Sequence, residues 1–103
     1  VRLRCGRLEA DWERHRVTVN SKSVPLTPKE FELLKVLMRA EGRVLSRERL
    51  LETVWGYAHA IELETRTVDF HVSQLRRKLA SEAHRVVTVP GTGYRFVGEE
   101  KSQ

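Results

Sequence analysis

The residues best suited to chemistry lie between positions 65 and 79, in the run TRTVDFHVSQLRRKL. Arg66, Arg76, Arg77 and Lys78 supply four cations there, against the single acid Asp69. Gln74, Thr67 and Phe70 suit the edges of bases, whereas the arginines and the lysine suit phosphate oxygens. Placed at about 100° per residue, Val68, Val72, Leu75 and Leu79 fall on one narrow stripe, the core side of an amphipathic helix. The opposite side carries Arg66, Thr67, Phe70, Ser73, Gln74 and Arg77. Arg76 and Lys78 flank it on either side, with His71 close to Lys78. Such a helix spans roughly 22 Å at about 1.5 Å per residue, enough to lie along a DNA major groove. An ordinary solvated helix face has the same composition, because amphipathic basic helices are common.

Other chemistry finds no support. Asp69, His71 and Ser73 have the residue types of a nucleophilic triad, but helical residues two apart point about 200° apart, so His71 faces away from both partners. His59, His71, His84 and Cys5 have no metal-ligand spacing, so no metal site is expected. The glycine-rich PGTG lies between two predicted strands, not ahead of a helix, so it is no nucleotide-phosphate loop. Neither an enzyme nor a cofactor is expected.

The chain as a whole bounds the answer. Its 103 residues make one domain with a single modest core. A hydrophobic share of 40% with 32% charged residues reads as globular and not disordered. The sequence pI of about 9.9 is the usual footprint of a polyanion partner. The charge is uneven: residues 1–26 carry +3, 27–64 carry −1, 65–79 carry +3 and the remainder is neutral. No apolar run approaches the roughly 20 residues of a membrane span, so neither a signal peptide nor a membrane partner is expected. Cys5 is the one cysteine, which rules out an internal disulfide and points to a reducing, cytoplasmic setting.

The elements that must position the basic helix can be read in order. Residues 1–26 alternate in short strands around Leu3, Cys5, Leu8, Ala10, Val17 and Val19, with Gly6 as a bend and residues 20–22 as a turn into a strand over 23–26. They predict a small antiparallel meander, and the chain's opening directly in a strand suggests a piece of a longer one. Thr27-Pro28-Lys29-Glu30 is a helix start with a capping box and proline at the first position. That first helix runs over 28–41, with Phe31, Leu33, Leu34, Leu37 and Met38 inward and Gly42 ending it. Residues 43–45 suffice only for a bridging strand. Ser46 caps a second helix, with Leu50, Leu51 and Val54 inward and Gly56 ending it. Trp55 in its last turn is either a core aromatic or an indole N–H aimed at a phosphate. Residues 57–64 (YAHAIELE) form a loop longer than a tight helix-turn-helix allows. After a connector at 80–84, residues 85–89 and 94–97 are strands of a hairpin, and 98–103 a polar tail.

Taken in order, LTPKEFELL, VLSRERLLETVWG, TRTVDFHVSQLRRKL and VVTVPGTGYRFV resemble the C-terminal DNA-binding domain of OmpR/PhoB-type response regulators, over nearly the whole chain from Leu3 to Val97. The resemblance implies an α+β winged helix-turn-helix spanning 1–103: a four-stranded antiparallel sheet over 1–26, three helices within 27–82, and a hairpin wing over 85–98 ahead of the tail at 99–103. It implies that the third helix enters the major groove, with Thr67, Phe70, His71, Gln74 and Arg77 as base-reading residues. Arg66, Arg76 and Lys78 are then expected toward phosphates. Arg47 and Trp55 match backbone-contacting positions near the second helix, and Thr88, Thr92, Tyr94 and Arg95 belong to the wing, which approaches phosphate and minor groove.

Two departures from the family pattern bear on specificity. Pro90 stands where the wing commonly has an arginine that enters the minor groove. Ser73 and Gln74 stand where relatives often carry arginines; glutamine pairs with adenine N6 and N7, arginine with guanine O6 and N7. An adenine preference is therefore expected, with Phe70 against a thymine methyl. The resemblance further implies a polymerase-contacting loop containing Tyr57, His59, Glu62 and Glu64. It also implies a receiver domain, a sensor kinase, and binding of double-stranded DNA at tandem half-sites. The competing reading is a winged helix that docks a protein partner through its third helix, which Phe70 on the outward face favours.

Overall fold

In the computed structural model, which describes residues 2–98, the chain opens as an antiparallel meander. Strands β1 (Arg2–Cys5), β2 (Leu8–Asp11), β3 (Arg16–Val19) and β4 (Lys22–Ser23) pair in that order. Leu8 lies opposite Val19 and Ala10 opposite Val17, so all four bury on one face while Arg16 and the other polar residues turn outward. This is the alternation of a half-buried sheet. The fourth strand is shorter than expected: pairing stops at Ser23, and Val24 adds one further bond to the Val17 carbonyl at 2.8 Å. The expected tail beyond residue 98 lies outside the described residues.

Helix α1 (Pro28–Arg39) begins as the sequence predicts. Glu30 N–H donates to Thr27 Oγ1 at 3.2 Å, and Thr27 N–H donates to Glu30 Oε1 at 2.9 Å, a complete capping box. The helix ends at Arg39, two residues before the expected boundary, because Glu41 already takes a positive φ of 53° ahead of Gly42 at 89°. Phe31 and Leu34 pack inward with Leu33, Leu37 and Met38. Trp12 packs edge-on against Phe31 with ring centroids 5.4 Å apart, a contact the sequence alone did not assign.

Strand β5 (Leu45–Ser46) and helix α2 (Arg47–Trp55) follow directly, and the Ser46 hydroxyl caps α2 through Arg49 N–H at 3.0 Å. The stretch read as a plain loop contains a short helix, α3 (Tyr57–Ala60), closed by the Ala60 N–H to the Gly56 carbonyl. Helix α4 (Arg66–Leu79) then buries Val68, Val72, Leu75 and Leu79, the predicted stripe. The connector is a 3₁₀ segment, Ala80–Arg85, and it carries an unforeseen buried pair: Arg85 Nε donates to Glu82 Oε1 at 2.5 Å. Arg85 Nη1 also donates to the Val97 and Gly98 carbonyls, which ties the end of the second sheet to this segment.

The second sheet runs β5-β7-β6, with β6 (Val86–Val89) and β7 (Gly93–Phe96) forming a hairpin. Pro90-Gly91 makes its tip: Gly91 has φ 75°, and Thr92 N–H closes the turn on the Val89 carbonyl at 3.0 Å. That is the type II signature, proline fixing the first central φ and glycine supplying the positive one. At Gly93 a Cβ would overlap the Leu45 carbonyl, so the absence of a side chain is what lets β5 cross against β7. One core gathers both sheets and the helices, from Leu8 and Val19 through Leu33, Leu50, Leu75 and Phe96.

Candidate nucleic-acid interface

Helix α4 presents its outward arc because its inward stripe is fully occupied. Arg66, Phe70, Ser73 and Arg77 are exposed, at spacings of four, three and four residues that keep them in one line along the helix. Phe70 is 60% exposed, an unusual degree for a large apolar ring. Thr67 and Gln74 lie half-exposed beside that line. Thus Thr67, Phe70, Gln74 and Arg77 are brought together on one accessible surface, while His71 sits at its margin. His71 Nδ1 lies 2.8 Å from the Thr67 carbonyl, so an N–H on Nδ1 donates within the helix and leaves Nε2 for other partners. Its ring also meets the edge of Trp55 at 4.9 Å and that of Phe70 at 5.4 Å.

The two flanks of α4 are anchored differently. On one, Lys78 Nζ lies 2.7 Å from Glu30 Oε1, whose side chain is only 4% exposed. Burial pushes the Glu30 carboxyl up, but hydrogen bonds from Lys78 and the Thr27 backbone, with the Lys78 charge, outweigh it and hold the group below the usual carboxylate range. Lys78, expected at a phosphate, is therefore engaged with α1, and Glu30 serves both the cap and the α1–α4 contact. Trp55 is half-buried on the same side, with Lys29 Nζ 5.7 Å above its ring. Its ring packs against the core, as the first of the two expectations for Trp55 has it, and the residue stays partly accessible.

The other flank carries a polar cluster that the sequence did not announce. Asp69 Oδ1 accepts from Arg47 Nε at 2.8 Å and from the Tyr94 hydroxyl at 2.5 Å. This joins the first turn of α2, helix α4 and the hairpin at one oxygen atom. Burial pushes the Asp69 carboxyl up; the hydrogen bonds from Tyr94 and Arg47 and the Arg47 charge more than reverse this, so it sits below its ordinary value. Burial raises the Tyr94 phenol, and the bond to Asp69 raises it further. Arg76 completes the cluster: its Nε donates to the Val86 carbonyl at 2.9 Å and its Nη2 to Thr88 Oγ1 at 2.6 Å. Both guanidinium groups lie over the Tyr94 ring, Arg47 at 5.9 Å and Arg76 at 5.5 Å from its centroid. Arg76 and Thr88, both expected at phosphates, thus bond to each other across the α4–wing junction.

The remaining candidates are dispersed. Thr92 is exposed at the wing tip beside Pro90, and Arg95 is half-exposed on β7. Arg66 pairs with Glu64 at 2.7 Å where both side chains are largely exposed, so screening leaves that pair weak. The segment between α2 and α4 exposes Tyr57 and Ile61, each at 71%, together with His59, Glu62 and Glu64. Among the described residues no group of His, Cys, Asp or Glu could hold a metal ion, and no helix is long and apolar enough to cross a membrane. The pairings of Asp69 with Arg47 and Tyr94 and of Glu30 with Lys78 were what sequence reasoning missed. Spacing could find neither partner, since Asp69 lies 22 and 25 residues from its two and Lys78 lies 48 from Glu30.

Residues 21–96 match a family model described as "Transcriptional regulatory protein, C terminal". Over 94 residues the chain is 49% identical to the phosphate regulon transcriptional regulatory protein PhoB of Rhizobium meliloti (strain 1021), covering 89% of this chain and 40% of that protein. It is 47% identical over 98 residues to the transcriptional regulatory protein ResD of Bacillus subtilis (strain 168), covering 90% and 40%. It thus spans about two fifths of the length of these curated relatives. The Klebsiella pneumoniae RstA DNA-binding domain, solved in complex with the RstA box, superposes with a TM-score of 0.80 at 30% identity, covering 94% of this chain and 97% of that one. DrrB of Thermotoga maritima, described as an OmpR/PhoB homolog, superposes with a TM-score of 0.83 at 32% identity, covering 94% and 44%.

Proposed function

The chain belongs to the OmpR/PhoB-type family of transcriptional regulatory protein C-terminal domains, and from that premise we propose that it is a sequence-specific binder of double-stranded DNA. It acts as the output module of a two-component phosphorelay regulator in the cytoplasm. Helix α4 enters the major groove, and the β6–β7 wing rests on the backbone. The observation that carries the reading is the outward arc of α4, where Arg66, Phe70, Gln74 and Arg77 stand accessible over a helix held rigidly from below and from both flanks. A rigid helix that presents base-edge groups beside cations is what direct readout needs.

In detail, Thr67, Phe70, His71, Gln74 and Arg77 read bases, and Gln74 pairs with an adenine next to a thymine whose methyl meets Phe70. Arg47, Trp55, Arg66, Thr92 and Arg95 face the backbone, whereas Tyr94, expected there too, is buried with its hydroxyl on Asp69. With Pro90 at its tip, the wing approaches DNA through backbone N–H groups and Thr92 instead of an inserted arginine. A receiver domain and its kinase supply regulation in the full-length protein, which pairs two copies on tandem half-sites. The exposed 57–64 segment is the surface offered to RNA polymerase.

The test is selection of duplexes from a randomised pool by the 103-residue chain, followed by titration of the recovered sequence across salt. Enrichment of a short half-site, with affinity falling by about 0.9 log units per log unit of salt for each neutralised phosphate, is the expected result. Gln74→Ala should lose preference at one adenine while still binding. Retention of the full site preference by that variant removes the adenine assignment. Failure to bind any duplex at low salt removes the DNA reading and favours a protein partner at Phe70.

A further inference from the structure

An acid on the reading helix of a DNA-binding domain is at first sight a fault, because a carboxylate beside phosphates repels them. Asp69 nevertheless stands on the α4 flank with its side chain 38% exposed, close enough to the accessible arc to be felt. Its surroundings suggest why it is there. A guanidinium has five N–H donors in a planar fork. Arg47 uses its Nε on Asp69 at 2.8 Å, which leaves the end-on edge of the fork, the outer N–H of each terminal nitrogen, pointing away from that carboxylate. The Arg47 side chain is 31% exposed, so it is not sealed into the junction. Asp69 is in turn immobilised from the wing, since the same oxygen accepts the Tyr94 hydroxyl. Tyr94 itself is 4% exposed and its ring is flanked by Arg76, whose other bonds run to Val86 and Thr88 of β6.

We propose that Asp69 is a positioning residue that aims Arg47 at a DNA phosphate, and that the Tyr94 hydroxyl makes this aim depend on a seated wing. The inference rests on the DNA-binding reading and adds a role for an acid that the charge rule alone would call unfavourable. The order of dependence is wing, then Tyr94, then Asp69, then Arg47. The wing thus contributes to affinity without carrying an arginine at its tip.

The sign of one substitution tests it. Asp69→Ala raises the net charge by one, so simple electrostatics predicts tighter DNA binding. A positioning role predicts the reverse: about tenfold weaker binding, of the order seen when one charge-assisted contact is lost. Binding would be measured on the duplex enriched by the wild-type chain, at fixed salt, with thermal unfolding recorded alongside. Asp69→Asn keeps an acceptor oxygen and should recover most of the loss. In an Arg47→Ala background Asp69→Ala should cause no further loss, because the residue it serves is gone. Tyr94→Phe keeps the ring and removes the donor, and should weaken binding severalfold; it carries the test even if Asp69→Ala unfolds. Tighter binding by Asp69→Ala, an unchanged affinity in Tyr94→Phe, or an equal Asp69→Ala loss with and without Arg47 would overturn the assignment while leaving DNA binding intact. A wild-type chain that binds no duplex would overturn both.

Discussion

At the residue scale, the cations of α4 divide into those that hold the molecule together and those left for a partner. Lys78 belongs to the first group, because it neutralises a carboxylate whose side chain is almost wholly buried. Removing one partner of such a pair leaves an uncompensated charge. Lys78→Ala should therefore cost about 2 kcal/mol in urea denaturation, discounted from the fully buried case because Lys78 is itself a third exposed. Its DNA salt dependence should be unchanged. A slope that falls by about one with stability intact would instead return Lys78 to the phosphate contacts. Arg77 and Arg66 belong to the second group. The difference between these lysine and arginine positions is about 100° of helix rotation, and periodicity registers it, as it placed Lys78 on a flank. What periodicity cannot register is which distant residue meets that flank.

At the element scale, the hairpin's strand pairing with the rest of the domain runs through β5, a strand of two residues. Two residues give little pairing, and that pairing depends on close backbone approach at Gly93. Gly93→Ala should destabilise the domain by about 2–3 kcal/mol, since the added carbon must displace backbone and not a flexible side chain. Heteronuclear NMR would report the loss first at Leu45, Ser46 and Tyr94. A variant with wild-type stability and unshifted resonances there would contradict this packing. The signal in the sequence was ambiguous: PGTG announced a tight tip, and Pro90-Gly91 makes one, but nothing local marked Gly93 as a crossing point. Helix starts were far more legible, because a cap such as Thr27 or Ser46 acts within three residues of itself.

At the scale of the whole molecule, three perturbed groups define a pH range. Glu30 and Asp69 are held below the ordinary carboxylate range near 4, so they favour the fold when ionised. Their contribution is complete above about pH 5 and is lost as pH falls through their folded values. Tyr94 is raised above its ordinary value near 10, so the fold favours its neutral form, and that contribution is lost as pH rises beyond about 10. Urea midpoints should be flat between about pH 5.5 and 9 and fall on both sides. A midpoint that climbs from pH 5 to pH 3 would mean that these carboxylates do not stabilise the fold. Asp69 and Tyr94 also join the wing to α4, so the same titrations should loosen the hairpin before the meander.

The sequence by itself determined what short-range physics controls. The stripe of Val68, Val72, Leu75 and Leu79, the capping box at Thr27, the alternation of β2 and β3, and the outward arc of α4 each depend on residues a few positions apart. The α+β winged-helix class followed from the family resemblance, with which their order agrees. Tertiary structure alone decided which charged and polar groups pair. Glu30 with Lys78, Asp69 with Arg47 and Tyr94, and Arg76 with Thr88 are brought together by chain reversals, and their bonds form only once helices and wing have packed. It also decided that part of the 57–64 loop is helical and that β5 joins the wing. The physical reason is range: hydrophobic period and capping are written locally, whereas a side-chain ion pair depends on where a distant element has already been placed.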